Sequence, residues 1–272
     1  MSGSKIKTMV IVALALINVV FLAVIVIGAV GDIRSERQAI ENACAILRHN
    51  GIEIEPDAVR PGGALKTMRT VRMDETEAAI VNAVLGPTEM TEQGMIIFSY
   101  ENAERGTAEF FSSGVFEILL NKGVITKDGE TLKTVQRLLG DMKLETADTV
   151  LSVEGGNETV TVISAFKGAS IFNCTIDFVF VGESLELITG RYVADTEVAE
   201  DGIEISSAGT ALLWFLAEVR REEIECARVY SVEAGYQHHV AGSGGVIAPV
   251  WLVTADSGQF IIDDATGEVW GF

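Results

Sequence analysis

The chain predicts an α+β protein: one N-terminal transmembrane helix, then an external domain of two units, each an antiparallel sheet with a helix against it. Three observations carry that expectation. Met9 to Val30 is an apolar run broken only by Asn18, and its roughly 22 residues match the ~20 that cross a bilayer as a helix. Beyond Gly86-Pro87, apolar residues recur mostly at the two-residue period of strands. The strand-like stretches are interrupted by two longer helical patterns about 80 residues apart, which suggests an architectural repeat without a residue-by-residue one.

The anchor comes first. A cleaved signal peptide would have an apolar region of about 7–15 residues and a small-x-small site, whereas Gly28 has Val26 two residues upstream. The run therefore reads as an uncleaved span over 9–30, behind a short tail, 1–8. Lys5 and Lys7 precede it; Arg34 and Arg37 follow it, interleaved with Asp32 and Glu36. Setting Lys5 and Lys7 aside turns the formal charge of −19 into −21 for everything beyond residue 31. Anionic cytoplasmic lipid would repel so acidic a domain, so the tail is expected inside and the domain outside. Asn18 lies mid-span, where an amide needs a hydrogen-bond partner; with Ala15 one turn before and Leu22 one turn after, it marks a face for a second helix.

Residues 31–63 read as a juxtamembrane helix and linker. Ile33, Ile40, Ala43, Cys44 and Leu47 recur at helical spacing, Gly51 is a natural stop, and Pro56 and Arg60-Pro61-Gly62-Gly63 break the pattern. A first unit spans 64–145. Asp74 with Glu77 could cap a short helix ending at Gly86-Pro87. Strands follow at Met95–Tyr100, Thr107–Phe111 and Val115–Leu120, then a helix from Asp128 to Met142 with Leu132, Val135, Leu138, Leu139 and Met142 on one face. A second unit spans 146–272. Its strands are Thr149–Val153, Thr159–Ala165, Asn173–Val181 and Leu185–Val193, with hairpin turns at Gly155-Gly156-Asn157 and Gly182-Glu183. A helix from Ser207 to Arg221 and strands Ile224–Val232, Val246–Thr254 and Gln259–Asp263 close the chain.

Composition excludes several functions. Of 272 residues, 48% are hydrophobic, enough for a core and too many for disorder. The acidic balance argues against nucleic acid, which needs a basic face. Cys44, Cys174 and Cys226 are too scattered for a disulfide framework or zinc module, and each reads as core. His238-His239 reads as an exposed hairpin loop; on a strand the pair would point to opposite faces and chelate poorly. Gly242-Ser243-Gly244-Gly245 lacks the Lys-Ser/Thr of a phosphate loop and reads as a flexible connection. Asp263-Asp264-Ala265-Thr266-Gly267 has turn chemistry, although paired carboxylates could also hold calcium or act as acid and base. No catalytic residue, cofactor or metal is expected from this pattern.

Two stretches carry a family likeness. Ser4-Lys5-Ile6-Lys7-Thr8 runs straight into the span containing Leu16-Ile17-Asn18. At the other end come Gly235-Tyr236, Ala248-Pro249-Val250-Trp251 and Gly258 through Asp263-Asp264-Ala265-Thr266-Gly267-Glu268. The chain resembles YycI-type proteins, with a C-terminal hairpin similar also to the end of PepSY-type domains. It departs from them at Gly3, where a tryptophan is usual, and at Ile261-Ile262-Asp263, in place of an aromatic pair and Asn. The resemblance implies an extracytoplasmic accessory protein that modulates the sensor histidine kinase YycG (WalK), together with a YycH-like protein, in control of cell-wall metabolism. Two other readings stand beside it. One, suggested by the Trp251 and Phe260 strands and the Asp264-Ala265-Thr266-Gly267 turn, is a PepSY-like module binding a peptide, protease or wall fragment; the other is an anchored hydrolase using acidic residues.

Overall fold

The structure, a computed structural model, describes residues 34–71, 74–93, 97–193, 195–198, 204–241 and 244–271. The expected span over 9–30, with Ala15, Asn18 and Leu22, lies outside the described residues. Among the described residues, no helix is long and apolar enough to cross a membrane.

Helix α1 occupies 34–49 and turns Ile40, Ala43, Cys44 and Leu47 inward, a stripe at the helical period. Gly51, at φ +84°, follows its end in the left-handed region that a side chain resists. After a short 3-10 turn at Pro56–Ala58 come β1 (Met68–Val71), α2 (Asp74–Val84) and the meander β2 (Glu89–Gln93), β3 (Ile97–Asn102), β4 (Gly106–Phe111) and β5 (Val115–Leu120). Helix α3 (Thr131–Met142) stops where Lys143 adopts a left-handed φ of 57°. Strands β6 (Thr146–Glu154), β7 (Asn157–Phe166), β8 (Ala169–Val181), β9 (Ser184–Arg191) and β10 (Asp195–Val198) follow. Ser207 then caps α4 (Ala208–Arg221) by accepting the Thr210 N–H at 3.2 Å. The chain ends in β11 (Val229–Ala241), β12 (Gly244–Ala255), β13 (Gly258–Asp263) and β14 (Val269–Gly271).

The result is a mixed α+β protein with a large, mostly antiparallel sheet and four helices among the described residues. The strand order is β10-β1-β12-β11-β8-β9-β5-β4-β3-β2, with β13 and β14 beside β12 and β6 and β7 beside β8. Among the described residues, isolated parallel bridges join Glu53 to Arg228 and Val59 to Val232, and β8 and β11 are the only two named strands that meet in parallel, at Ile171 and Tyr236. Gly235 permits that meeting: a Cβ there would lie 2.6 Å from both the Phe172 ring and the Ser170 carbonyl oxygen. Strand β5 pairs β9 through Val115–Leu119 and Leu187–Arg191, across the 145/146 point at which the sequence reading divides the domain.

Two large cores result. Helices α2 and α3 cover the face carrying Phe110, Phe116, Val160, Phe178 and Ile188. Helices α1 and α4 cover Val232, Trp251, Val253, Phe260 and Ile262. Leu132, expected on the buried face of α3, is 36% exposed at its first turn. Strand β11 begins and ends later than Ile224–Val232, because it follows β12 along its length. Short strands β1, β2, β10 and β14 have no sequence counterpart; too few residues alternate for a period to register.

The α1–α4 contact is close. A Cβ on Gly209 would lie 2.9 Å from the Ala39 carbonyl oxygen. Gly209→Ala is therefore expected to push α1 outward and cost about 1–3 kcal/mol, as overpacking does. Thermal melting would check this; an unchanged melting temperature would show that α1 rides loosely on α4.

Candidate functional site

The seam where β1, β8, β9, β11 and β12 converge gathers much of the unusual chemistry. His238 was expected in an exposed loop, but β11 continues through it and the imidazole is only 4% exposed. The period explains this: Val232, Tyr236 and His238 point inward, whereas His239 is exposed on the opposite face. Likewise Gly244 and Gly245 belong to β12 rather than to a flexible connection. A Cβ on Gly245 would lie 2.1 Å from His238 Nε2, so the glycine makes room for the ring.

Asn173 of β8 clamps this seam. Its Nδ2 donates to the His238 carbonyl at 2.8 Å, and its Oδ1 accepts the His238 N–H at 2.7 Å. Thr70 Oγ1 lies 3.5 Å from His238 Nε2, and Arg191 Nη1 lies 3.5 Å from Nδ1. Burial, then the Arg191 charge, then His239 push the His238 pKa down to about 4. The ring is thus neutral near pH 7, with Nδ1 facing a cationic donor. Cys174 is fully buried, and desolvation raises its thiol to about 12 despite Arg191. A protonated thiol and an enclosed imidazole do not make a nucleophilic pair. Arg191 Nε is buried without a hydrogen-bond partner among the described residues. The seam reads chemically as a polar lock between sheet segments.

Asp263 and Asp264 divide their roles. Asp263 Oδ1 accepts the N–H groups of Ala265 and Thr266, at 2.7 and 3.1 Å, as a turn requires. Asp264 is buried instead. Its Oδ1 accepts Ser206 Oγ–H at 2.5 Å and the Trp251 indole N–H at 3.2 Å, and its Oδ2 accepts the Ser206 N–H at 2.7 Å. Trp251 and Phe260, on the strands that suggest a PepSY-like module, are 0% and 4% exposed. They are core, not a recognition surface.

Sequence reasoning missed two further buried ionic groups. Glu77, read as a capping residue, is fully buried and accepts from Tyr192 Oη at 2.8 Å and Tyr100 Oη at 3.3 Å. Lys127, 8% exposed, pairs Glu158 at 2.8 Å; with the Thr131 hydroxyl it holds the Glu158 carboxyl below the usual range. No local signal marks either: Glu77 follows Asp74, Glu75 and Thr76, and Lys127 stands between Thr126 and Asp128. Among the described residues, no group of three His, Cys, Asp or Glu is placed to hold a metal.

Two clefts flank the first turns of α1. One, of about 470 Å³, lies between Arg37, Ile40 and Glu41 and the segment Pro56–Pro61. The other, of about 460 Å³, lies between Ser35 and Ala39 and residues Gly63, Ile205 and Ser206. Glu36 lines both. These concavities sit at the end of the domain that the expected anchor would enter.

No family model matches the chain, and no curated protein matches it. A crystal structure of an uncharacterized protein from Eubacterium rectale is similar in fold, with a TM-score of 0.51 at 8% identity over 77% of this chain and 86% of that one. The Bacillus megaterium YpeB C-terminal domain aligns at a TM-score of 0.36 and 10% identity, over 75% of this chain and 99% of that one. An overlap that low carries no argument about function. The first neighbour supports a shared fold and nothing further.

Proposed function

We propose that this protein is a membrane-anchored extracytoplasmic accessory protein that acts by binding rather than catalysis, and that its partner is a sensor histidine kinase controlling cell-wall metabolism. The observation that carries the reading is the attachment of α1. In sequence, only residues 31–33 separate the apolar run from a helix whose inner face is packed against α4. A span joined through so few residues would pass displacement to the domain, and the reverse. The kinase, with a YycH-like protein beside it, rests on the likeness to YycI-type proteins alone. The alternative is a PepSY-like external module for a peptide, protease or wall fragment. With Trp251 and Phe260 buried, its ligand would meet the clefts beside α1.

In-cell crosslinking from positions 15, 18 and 22 of the full chain tests the partner. Capture of the kinase is expected, and Asn18→Leu should weaken association several-fold, since interhelical hydrogen bonds are worth roughly 0.5–2 kcal/mol. Val26→Leu should matter less. A Gly-Ser insertion between residues 31 and 34 should leave capture intact while abolishing modulation of the kinase. Capture that depends only on surface residues of the domain would make the span a tether and favour the alternative.

A further inference from the structure

We infer that the outer face of the sheet segment β3-β4-β5-β9-β8 docks a basic amphipathic segment of another protein, whose Lys or Arg side chains meet Glu109, Glu117 and Asp177 between two apolar rows. Alternation defines this face. Phe110, Phe116, Ile118, Phe178 and Ile188 turn to the core under α2 and α3, so their strand neighbours point the other way. Leu119, Val179 and Leu187 on that side join no hydrophobic core among the described residues. Helices α2 and α3 cover the opposite face, and α1 and α4 cover a different core.

Strand register sorts the face into rows. Glu109 of β4 lies directly opposite Glu117 of β5, and the row continues through Thr189 of β9 to Asp177 of β8. Leu119, Leu187 and Val179 form the next row on one side, with Leu119 51% exposed. Ile97, Phe111 and Val115, each half-buried, flank the acids on the other side. Successive rows lie about 7 Å apart, two residues along each strand, and neighbours within a row about 5 Å apart.

Charge selects the occupant. Like charges directly opposite on neighbouring strands destabilise a sheet. Elsewhere the chain pairs its acids: Glu53 with Arg228, Glu158 with Lys127, Glu218 with Arg221 and Glu233 with Arg60. Glu109 and Glu117 form no ion pair among the described residues, and Asp177 accepts only the Thr161 hydroxyl there, at 2.6 Å. Arg191, a cation on the same face, is turned towards His238 instead. A second copy would set acids against acids, and anionic lipid or nucleic acid would be repelled likewise. The acids do not build a cation site, since no group of three ligating residues occurs among the described residues. The flanking rows ask for apolar contact as well as positive charge, which a polypeptide segment supplies. The inference stands apart from the kinase assignment, because it fixes the chemistry of the segment and not its owner.

The test uses the full chain in nanodiscs of neutral phosphatidylcholine. The probe is a fluorescent peptide of alternating Lys and Val, with empty nanodiscs as background. The peptide should bind, and its counterpart with Glu in place of Lys should not. Glu109→Gln with Glu117→Gln should weaken binding about fivefold, and Leu119→Ser several-fold. Glu75→Gln with Glu225→Gln, an equal change of charge at exposed sites elsewhere, should change it less than about twofold. Added salt should weaken binding to the unaltered chain. In the chain alone, Glu117→Gln should raise the melting temperature by about 1–3 °C, because it removes a like-charge neighbour. Binding no stronger than to empty nanodiscs, equal losses in the two double variants, or a melting temperature lowered by Glu117→Gln would each overturn the proposal.

Discussion

Asp264→Ala is expected to lower the unfolding free energy by about 3–4 kcal/mol, the largest effect of any single polar substitution proposed for this chain. The carboxyl group gathers three donors from two separate segments: the N–H and hydroxyl of Ser206, just before α4, and the indole N–H of Trp251 on β12. Truncation leaves the indole N–H of a fully buried ring without its acceptor and opens a void at the α4 N-terminus. Asp264→Asn retains the shape but turns one acceptor into a donor that faces donors, and should cost less, about 1–3 kcal/mol. At roughly 2–4 °C per kcal/mol for a chain of this size, the alanine variant should melt near 10 °C lower. Equal melting of wild type and both variants would mean that the Ser206–Asp264–Trp251 tie does not hold α4 to the sheet.

Stability is also expected to fall as pH drops from about 6.5 to about 4, through His238. The folded pKa lies below the unfolded value, so in this window the unfolded chain binds the extra proton. Unfolding is therefore favoured as pH falls, and the effect is complete below the folded pKa. Burial and Arg191, with a smaller contribution from His239, hold the ring neutral in the native state. With the imidazole only 4% exposed, the full loss is at most about 3 kcal/mol. Carboxylates titrate in the same range, so the comparison is with His238→Gln, measured by urea unfolding at several pH values. The wild type should lose more stability than the variant between pH 6.5 and 4, and the two should vary in parallel above pH 7. Identical slopes throughout would show that His238 titrates as it does in the unfolded chain.

Much of the secondary structure was legible because its signals are local. Val115–Leu120 and Gln259–Asp263 lie on or within a residue of their observed bounds, and the helix expected from Asp128 ends at Met142 as read although it starts at Thr131, because side chains alternate or recur within a single element. Short strands escaped for the converse reason: β10 exists by pairing with β1, and β1 by pairing with β10 and β12, over four residues apiece or fewer. His238 shows how a local signal misleads. Polar residues among glycines resemble a loop, and only the long pairing with β12 makes them strand.

What the sequence determined by itself is an apolar run long enough to span a bilayer, an acidic α+β domain beyond it, and the identity of most of its elements. The tertiary structure decided which strands are neighbours. It joined β5 to β9 and β8 to β11, and it put Glu77 between two tyrosines and His238 beside Arg191. It also gave Asp264 its three donors and left β6 at an open edge. The reason is one of range. Periodicity is set within about ten residues by which face must leave water, whereas Tyr192 reaches Glu77 across 115 residues and Asn173 reaches His238 across 65. Such contacts follow from the closure of the whole sheet, and no window of sequence encodes them.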